Sequence, residues 1–410
     1  MLQEGIYHAS GARPGNAFLI LFLRVSPGQS AAQAGAAFAR LWGMYQALKE
    51  GRILDLPGHP VPAGGLSVLV GYGVNVFDLA GARVSAPSAL RRHGQFRSPL
   101  PTGGGPLLIG SGLRYGDDVR VNPATEEIVV QFIANTQLAV NRAVVETWKA
   151  LHDLTDPETG IPPLLMTGFY QGFQRDDGRS WIDFHDGVSN LRSEERAGAI
   201  SIKPSGAPEE TWVEAGTYLA FVRLEVDLPR WRGLNRDQQE LLVGRDKPSG
   251  CPIEATDEAG RPLPHRSCPV ANTKQVSEPG NEAFREPPDV ADPVVRISHV
   301  QRANHHQGPP SDRSSLRIFR QGYEFLERLE AAPGFRAGLN FVSFQDTPGR
   351  LSQMLITPGW LGRTNFGGDL DQPLPGTDRL LTVRAAGIFL VPPLIEGEPF
   401  PGSGIFSPSA

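Results

Sequence analysis

Cysteine is nearly absent. Two in 410 residues are too few for a zinc knuckle or an iron–sulfur ligand set. Cys251 and Cys268 bracket a polar loop and could pair as a disulfide, with reduced thiols the favoured state in a cytoplasmic chain. Long apolar runs are missing as well. Nothing approaches the ~20 residues of a membrane span, and the short run AFLILFL (17–23) reads as a buried strand. The opening MLQEGIYHASG has neither a basic n-region nor an apolar h-region, so no secretory signal is expected and the predicted location is cytoplasmic. Charge of one sign is lacking too. Lys plus Arg number 39 against 44 for Asp plus Glu, a net of −5 with no long single-sign run. That excludes the clustered basic face a nucleic-acid partner requires.

What is present is an ordinary apolar content, 40%, in a chain long enough for two to three compact units. Glycine (47) and proline (37) are abundant, so loops are numerous. Between them a short β-rich run followed by an amphipathic helix recurs. AFLILFLRV (17–25) precedes AAQAGAAFARLWGMYQAL (31–48), and EEIVVQFIAN (126–135) precedes QLAVNRAVVETWKAL (137–151). TYLAFVRLEV (217–226) precedes LNRDQQELLVG (234–244), and LNFVSFQ (339–345) precedes GRLSQML (349–355). Two such units in each half predict an α+β fold of duplicated halves, antiparallel sheets with helices packed on them. The halves are expected to divide as 1–160 and 161–410, at the Pro-rich DPETGIPPL (156–164). Residues 246–294 read as a long irregular segment, more often functional than idle.

Chemistry-bearing residues gather in three places. WIDFHDGVSN (181–190) packs Asp183, His185 and Asp186 beside Gly187. His299 ends an apolar, β-like run (Val294, Val295, Ile297), and Arg320 lies in the extended RIFRQGYEF. Taken singly, such a histidine is more often a hydrogen-bonded structural group, and such an arginine a surface ion pair.

Together these segments resemble the dye-decolourising peroxidase family of haem enzymes. DFHDG (183–187) followed by VSN is similar to its GxxDG motif, HVQRAN (299–304) to its proximal-histidine segment and RIFRQG (317–322) to its distal-arginine segment. WVEAGTYLAFVRLEVDLPRWRGL (212–234), QQELLVGRDKPSG (238–250), GLNFVSFQ (338–345) and GIFLVPP (387–393) extend the likeness along most of the chain. Two positions depart from the pattern. Asp183 stands where the motif begins with glycine, so the turn must tolerate a side chain at an altered φ. His305 stands where proline commonly follows the proximal segment.

The resemblance implies ferredoxin-like halves, with one haem b per chain in the C-terminal half. It implies His299 as the iron ligand, its other ring nitrogen donating to a carbonyl or carboxylate, for which Asp378 is a candidate. Asp186 would take a proton from hydrogen peroxide and return it to the outer oxygen. An aspartate, with a reference pKa of ~3.9, stays basic in mildly acidic solution where a histidine would not, so activity is expected to peak at acidic pH. Arg320 would face the breaking bond with a permanent charge. Leu339 and Phe341 would wall the pocket, Gly187 would let the backbone approach the macrocycle, and Arg302 and Arg245 would meet the haem propionates. The partners implied are hydrogen peroxide and a reducing substrate such as a dye or phenol, with no nucleic acid and no membrane; a homo-oligomer stays open. Trp181 and Tyr323 are aromatic candidates for carrying electrons outward. A haem-handling protein with little peroxidase turnover is the alternative, and a haem-free interaction module a third.

Overall fold

The computed structural model describes residues 1–7, 15–93, 96–98, 107–109, 126–264, 287–303, 317–351 and 380–406. The first half runs β1 (Ala17–Val25), α1 (Ala31–Lys49), β2 (Ser67–Tyr72), the short α2 (Ser88–His93), and a small hairpin of β3 (Phe96–Ser98) with β4 (Leu107–Ile109). β5 (Ile128–Ala134), α3 (Gln137–Asp153) and β6 (Leu164–Phe173) complete it. The second half holds α4 (Ser193–Ile200), β7 (Thr217–Val226), α5 (Leu228–Gly233) and α6 (Arg236–Val243). A hairpin of β8 (Ile253–Thr256) and β9 (Pro262–Pro264) follows, then α7 (Pro293–Arg296) and α8 (His299–Ala303). β10 (Phe319–Arg320), β11 (Tyr323–Arg328), β12 (Phe335–Gln345) and β13 (Leu381–Val391) close the chain's sheet.

Strand pairing makes the duplication visible. The first half is ordered β6-β1-β5-β2 and the second β13-β7-β12-β11, all antiparallel. In each, the fourth strand lies beside the first and the third separates the first from the second, the ferredoxin-like order expected. β10 and β11 pair successive stretches of the same β12 edge, so they are one strand interrupted at Gln321–Gly322. Two thin seams join the halves, Glu324 opposite Phe173 and Leu390 opposite Tyr72, closing the strands into a ring. Phe18, Ile20 and Phe22 of β1 face Phe221, Val342, Phe344 and Phe389 inside it. Strand pairing carries the first unit past the boundary expected at 160, because β6 lies along β1 from Leu164 to Phe173.

The outer face of the first sheet is covered by two long helices. α1 starts at a capping box, Ser30 with Gln33, and α3 starts where the Thr136 side chain accepts from Ala139 N. Phe38, Leu41 and Tyr45 from α1 and Val140, Ala143 and Val144 from α3 fill one apolar layer with Leu21, Val130 and Phe132. Among the described residues no helix is long and apolar enough to cross a membrane.

Three expectations change. The run before His299 is helix, not strand: Asp292 caps α7 by accepting from Val294 N and Val295 N, with Pro293 in its first turn. Short apolar runs are ambiguous by periodicity alone. The segment 246–294 is not irregular throughout, since it contains the β8–β9 hairpin and ends in the first turn of α7. Cys251 is disulfide-bonded and fully buried, where reduced thiols were expected. The turn leading into Cys251 is pinned by Asp246, which accepts from Ser249 N at 2.8 Å and Ser249 Oγ at 2.5 Å. Cys268, Asp378, His305 and most of the helix expected at 349–355 lie outside the described residues.

Candidate active site

Four segments converge on the outer face of the second sheet, in the place the long helices occupy on the first. The motif loop comes from the turn after β6. Its backbone is unusual: Asp183 and Ser189 take φ of 67° and 66°, and Gly187 takes 74°. An aspartate tolerates this left-handed region better than most residues, which is how Asp183 stands in for the motif's first glycine. Arg179 ties the loop down, donating to the carbonyls of Asp183, Lys247 and Pro248. His185 is buried, its Nε2 lies 3.3 Å from the Pro248 carbonyl, and burial and then Arg179 lower its pKa. Arg179 and His185 thus anchor the loop to 247–248, and Asp186 itself faces the cavity, its Oδ1 accepting from Gly187 N at 2.8 Å.

The second segment is the end of α6. Gly244 terminates the helix at φ 87°. A Cβ there would meet Ser298 Oγ at 2.4 Å and Val300 Cγ2 at 2.6 Å, so only glycine lets the third segment, the start of α8, pack against it. That contact brings Arg245 and His299 to one wall. Arg245 is buried, donating to Gly250 O at 2.8 Å and to Ser189 Oγ. Burial, reinforced by the positive charges of Arg320 and Arg245, pushes the His299 pKa down to about 3, so its imidazole is neutral.

β10 to β12 form the fourth segment. Asn190 clamps Arg320 to the motif loop: its Nδ2 donates to Arg320 O at 2.8 Å, and its Oδ1 accepts from Arg320 N at 3.1 Å. The guanidinium donates to Val188 O at 3.0 Å. Gly322 leaves room for the carboxylate, since a Cβ there would lie 3.3 Å from Asp186 Oδ2 and 2.9 Å from Leu339 Cδ1.

The result is a cavity of about 230 Å³ whose lining includes Asp186, Gly187, Arg245, His299, Arg320, Leu339 and Phe341. Of the residues singled out from sequence, Arg302 is not on the lining; its Nε donates to Ile297 O at 2.9 Å. Trp181 lines it, with its Nε1 donating to Phe325 O at 2.9 Å and the Arg175 guanidinium 5.0 Å from its ring. Tyr323 does not; it stacks on Phe18 inside the ring of strands at 4.1 Å. Sequence reasoning missed Asn190 as the clamp and Glu324 and Arg317 on the lining. An asparagine closing a motif loop signals such a clamp, whereas a glutamate within a strand gives no sign of facing a cavity.

The family profile described as Dyp-type peroxidase, C-terminal, matches residues 177–395, more than half the chain. The chain belongs to the Dyp-type peroxidase family. It is 22% identical over 327 residues to a dye-decolorizing peroxidase of Thermobifida fusca (strain YX), covering 78% of this chain and 66% of that protein. It is 21% identical over 221 residues to a deferrochelatase of Shigella flexneri, covering 53% of this chain and 47% of that protein. The chain thus spans from about half to about two thirds of the length of the curated relatives it matches. Among solved structures, a DyP-type peroxidase from Cellulomonas bogoriensis superposes with a TM-score of 0.67 at 19% identity, over 98% of this chain and 96% of that one. Ferric DtpA from Streptomyces lividans gives 0.64 at 21%, over 97% and 93%. At these identities the structural likeness speaks to the fold.

Proposed function

We propose that the chain is a haem b peroxidase of the dye-decolourising type, with one haem per chain, reducing hydrogen peroxide and oxidising dyes, phenols or other one-electron donors. One observation carries the reading: Asp186, His299 and Arg320, from three separate segments, line a single cavity. The residues fit a haem. Leu224, Val226, Leu339, Phe341 and Leu381 give the cavity an apolar sheet side, while Arg245, Arg317 and Arg320 bring cations suited to a flat macrocycle bearing two carboxylates. Among the described residues no group of three His, Cys, Asp or Glu could hold a metal ion unaided. A neutral imidazole here suits a metal whose remaining ligands come from a macrocycle.

When bound, the haem would supply the redox chemistry that cleaves the peroxide O–O bond. His299 would hold it through the neutral ring. Asp186 would accept the proton peroxide must lose and hand it to the departing oxygen; the clamp to Arg179 and Asn190 keeps its loop from wandering. Arg320, fixed by Val188 and Asn190, would face the negative charge that builds on that oxygen with a group that stays charged at any working pH. Arg245 would pair with a propionate, and Leu339 and Phe341 would keep water from the wall.

The relation to a deferrochelatase favours a second reading, a haem-handling protein with little turnover. A carboxylate and a guanidinium together on the lining argue for the enzyme, because a carrier has no use for a proton acceptor beside a fixed cation. Absorption spectra of the haem-supplied protein before and after one equivalent of peroxide test both. A Soret band that changes with peroxide and recovers with a dye or phenol is the expected result. A band indifferent to peroxide leaves the carrier, and no band at all removes both.

A further inference from the structure

Glu324 has no part in the chemistry described so far, yet it lines the same cavity. It sits at the thin seam between the halves, opposite Phe173 of β6 and Leu339 of β12. It is 5% exposed, and its Oε1 meets no hydrogen-bond partner. An ionised carboxylate in that position would be costly. Gly322, two residues earlier on β11's approach and so on the same strand face, is where the Asp186 carboxylate rests. The charged groups facing Glu324 are Asp186 on the motif loop and Arg175 and Asp177 on the turn after β6, while β12 presents Leu339. Arg175 and Asp177 form an ion pair at the surface, with the Asp177 side chain 48% exposed.

We propose that Glu324 is a second proton-carrying residue of the cavity, passing protons between the surface at Arg175–Asp177 and the Asp186 carboxylate. The role rests on the peroxidase reading. Reducing one hydrogen peroxide to two waters consumes two electrons, supplied by two one-electron donors, and two protons. Asp186 alone returns a proton that peroxide already had. In the added step the acid form of Glu324 gives its proton to ionised Asp186; one O–H bond breaks, one forms, and no electron moves. Glu324 then regains a proton from solvent. Burial, and next the negative charge of Asp186, push the Glu324 pKa up to about 9, against the opposing pull of Arg175, so at neutral pH the residue is loaded. The arrangement follows the general rule for two neighbouring carboxyls, one of which keeps its proton while the other is ionised.

The test uses the haem-loaded protein and Glu324→Gln, which keeps the shape and removes the exchangeable proton. At pH 7 the infrared carbonyl band of a protonated buried carboxyl is expected in the wild type and absent from the variant, whether or not peroxide is added. Haem binding should be unchanged, and after peroxide the recovery of the Soret band on adding a one-electron donor should slow by about 10²-fold. The difference should shrink as pH rises through about 9, where the wild type loses the same proton. No band in the wild type, or equal rates at every pH, overturns the role while leaving the peroxidase intact. A wild type that neither binds haem nor responds to peroxide overturns the peroxidase reading, and this role with it. Should the amide variant not fold, Glu324→Asp replaces it: a retained band with an intermediate rate supports the relay, and a wild-type rate overturns it.

Discussion

The two halves repeat one strand order and differ in what covers the outer face. On the first sheet α1 and α3, of 19 and 17 residues, cover the strands with apolar side chains. On the second the corresponding helices are short. α5, α6 and α8 have 6, 8 and 5 residues, too few turns to cover four strands. The space they leave is the cavity. Backbone strain divides the same way, for the described non-glycine residues with positive φ are Asp183, Ser189 and Ala215, all in the second half. One copy of the fold supplies packing and the other supplies a site, and substitutions should separate the two.

The largest effect should come from removing the imidazole. His299→Ala is expected to weaken haem retention by at least about 10²-fold, read from the Soret absorbance after gel filtration, with far-ultraviolet circular dichroism unchanged. Full haem retention would break the contrast at its centre, because the second half would then hold its cofactor without the residue its short helices expose. Next are Asp186→Asn and Arg320→Leu. Each should slow the reaction with peroxide by about 10²- to 10³-fold while leaving haem in place. The wild type should react fastest on the acid side of neutrality, and stopped-flow spectra across pH check both statements.

The reverse experiment belongs to the first half. Phe132 is fully buried against Tyr45, their ring centroids 5.1 Å apart. Phe132→Ala should cost about 3–5 kcal/mol of stability, seen as a lower midpoint in denaturant. The reaction rate per bound haem should not change. A change in that rate would mean that packing under α1 and α3 reaches the cavity through the shared ring of strands.

Much of this contrast is legible in the sequence. β1, α1, β5, α3 and β7 announce themselves through long periodic or continuous apolar runs, and periodicity is a local property. Asp186, His299 and Arg320 are legible through the motifs around them, though nothing local says they share a cavity. What escapes is whatever depends on distant pairing. The ring closes through contacts as sparse as Leu390 with Tyr72, and Glu324 reads as an ordinary polar residue on an alternating strand until Phe173 is set opposite it. The helix before His299 is signalled by Asp292–Pro293, a cap followed by a first-turn proline, but three β-branched residues, Val294, Val295 and Ile297, outweigh that cue. The resemblance implies Arg302 as a propionate partner, yet at the end of a five-residue helix its Nε donates back to Ile297 O.

The smallest effect concerns the strain itself. Asp183 holds φ 67° with its side chain 65% exposed and its Oδ2 3.6 Å from Lys247 Nζ, an ion pair worth little at that exposure. Asp183→Gly removes the steric cost of the left-handed region, but a glycine also loses more freedom on folding, about 0.5–1 kcal/mol. The two nearly cancel, so the melting temperature should move by no more than about 1 °C. Asp183→Ala keeps the steric cost without the local hydrogen bonding that lets an aspartate visit this region, and should lose about 1 kcal/mol relative to glycine. Equal stability for alanine and glycine would show that the loop relaxes out of the left-handed conformation. The strain assigned to the second half would then reside in Ser189 and Ala215 alone, and the anchoring of Asp186 would rest on Arg179 and Asn190 rather than on the turn.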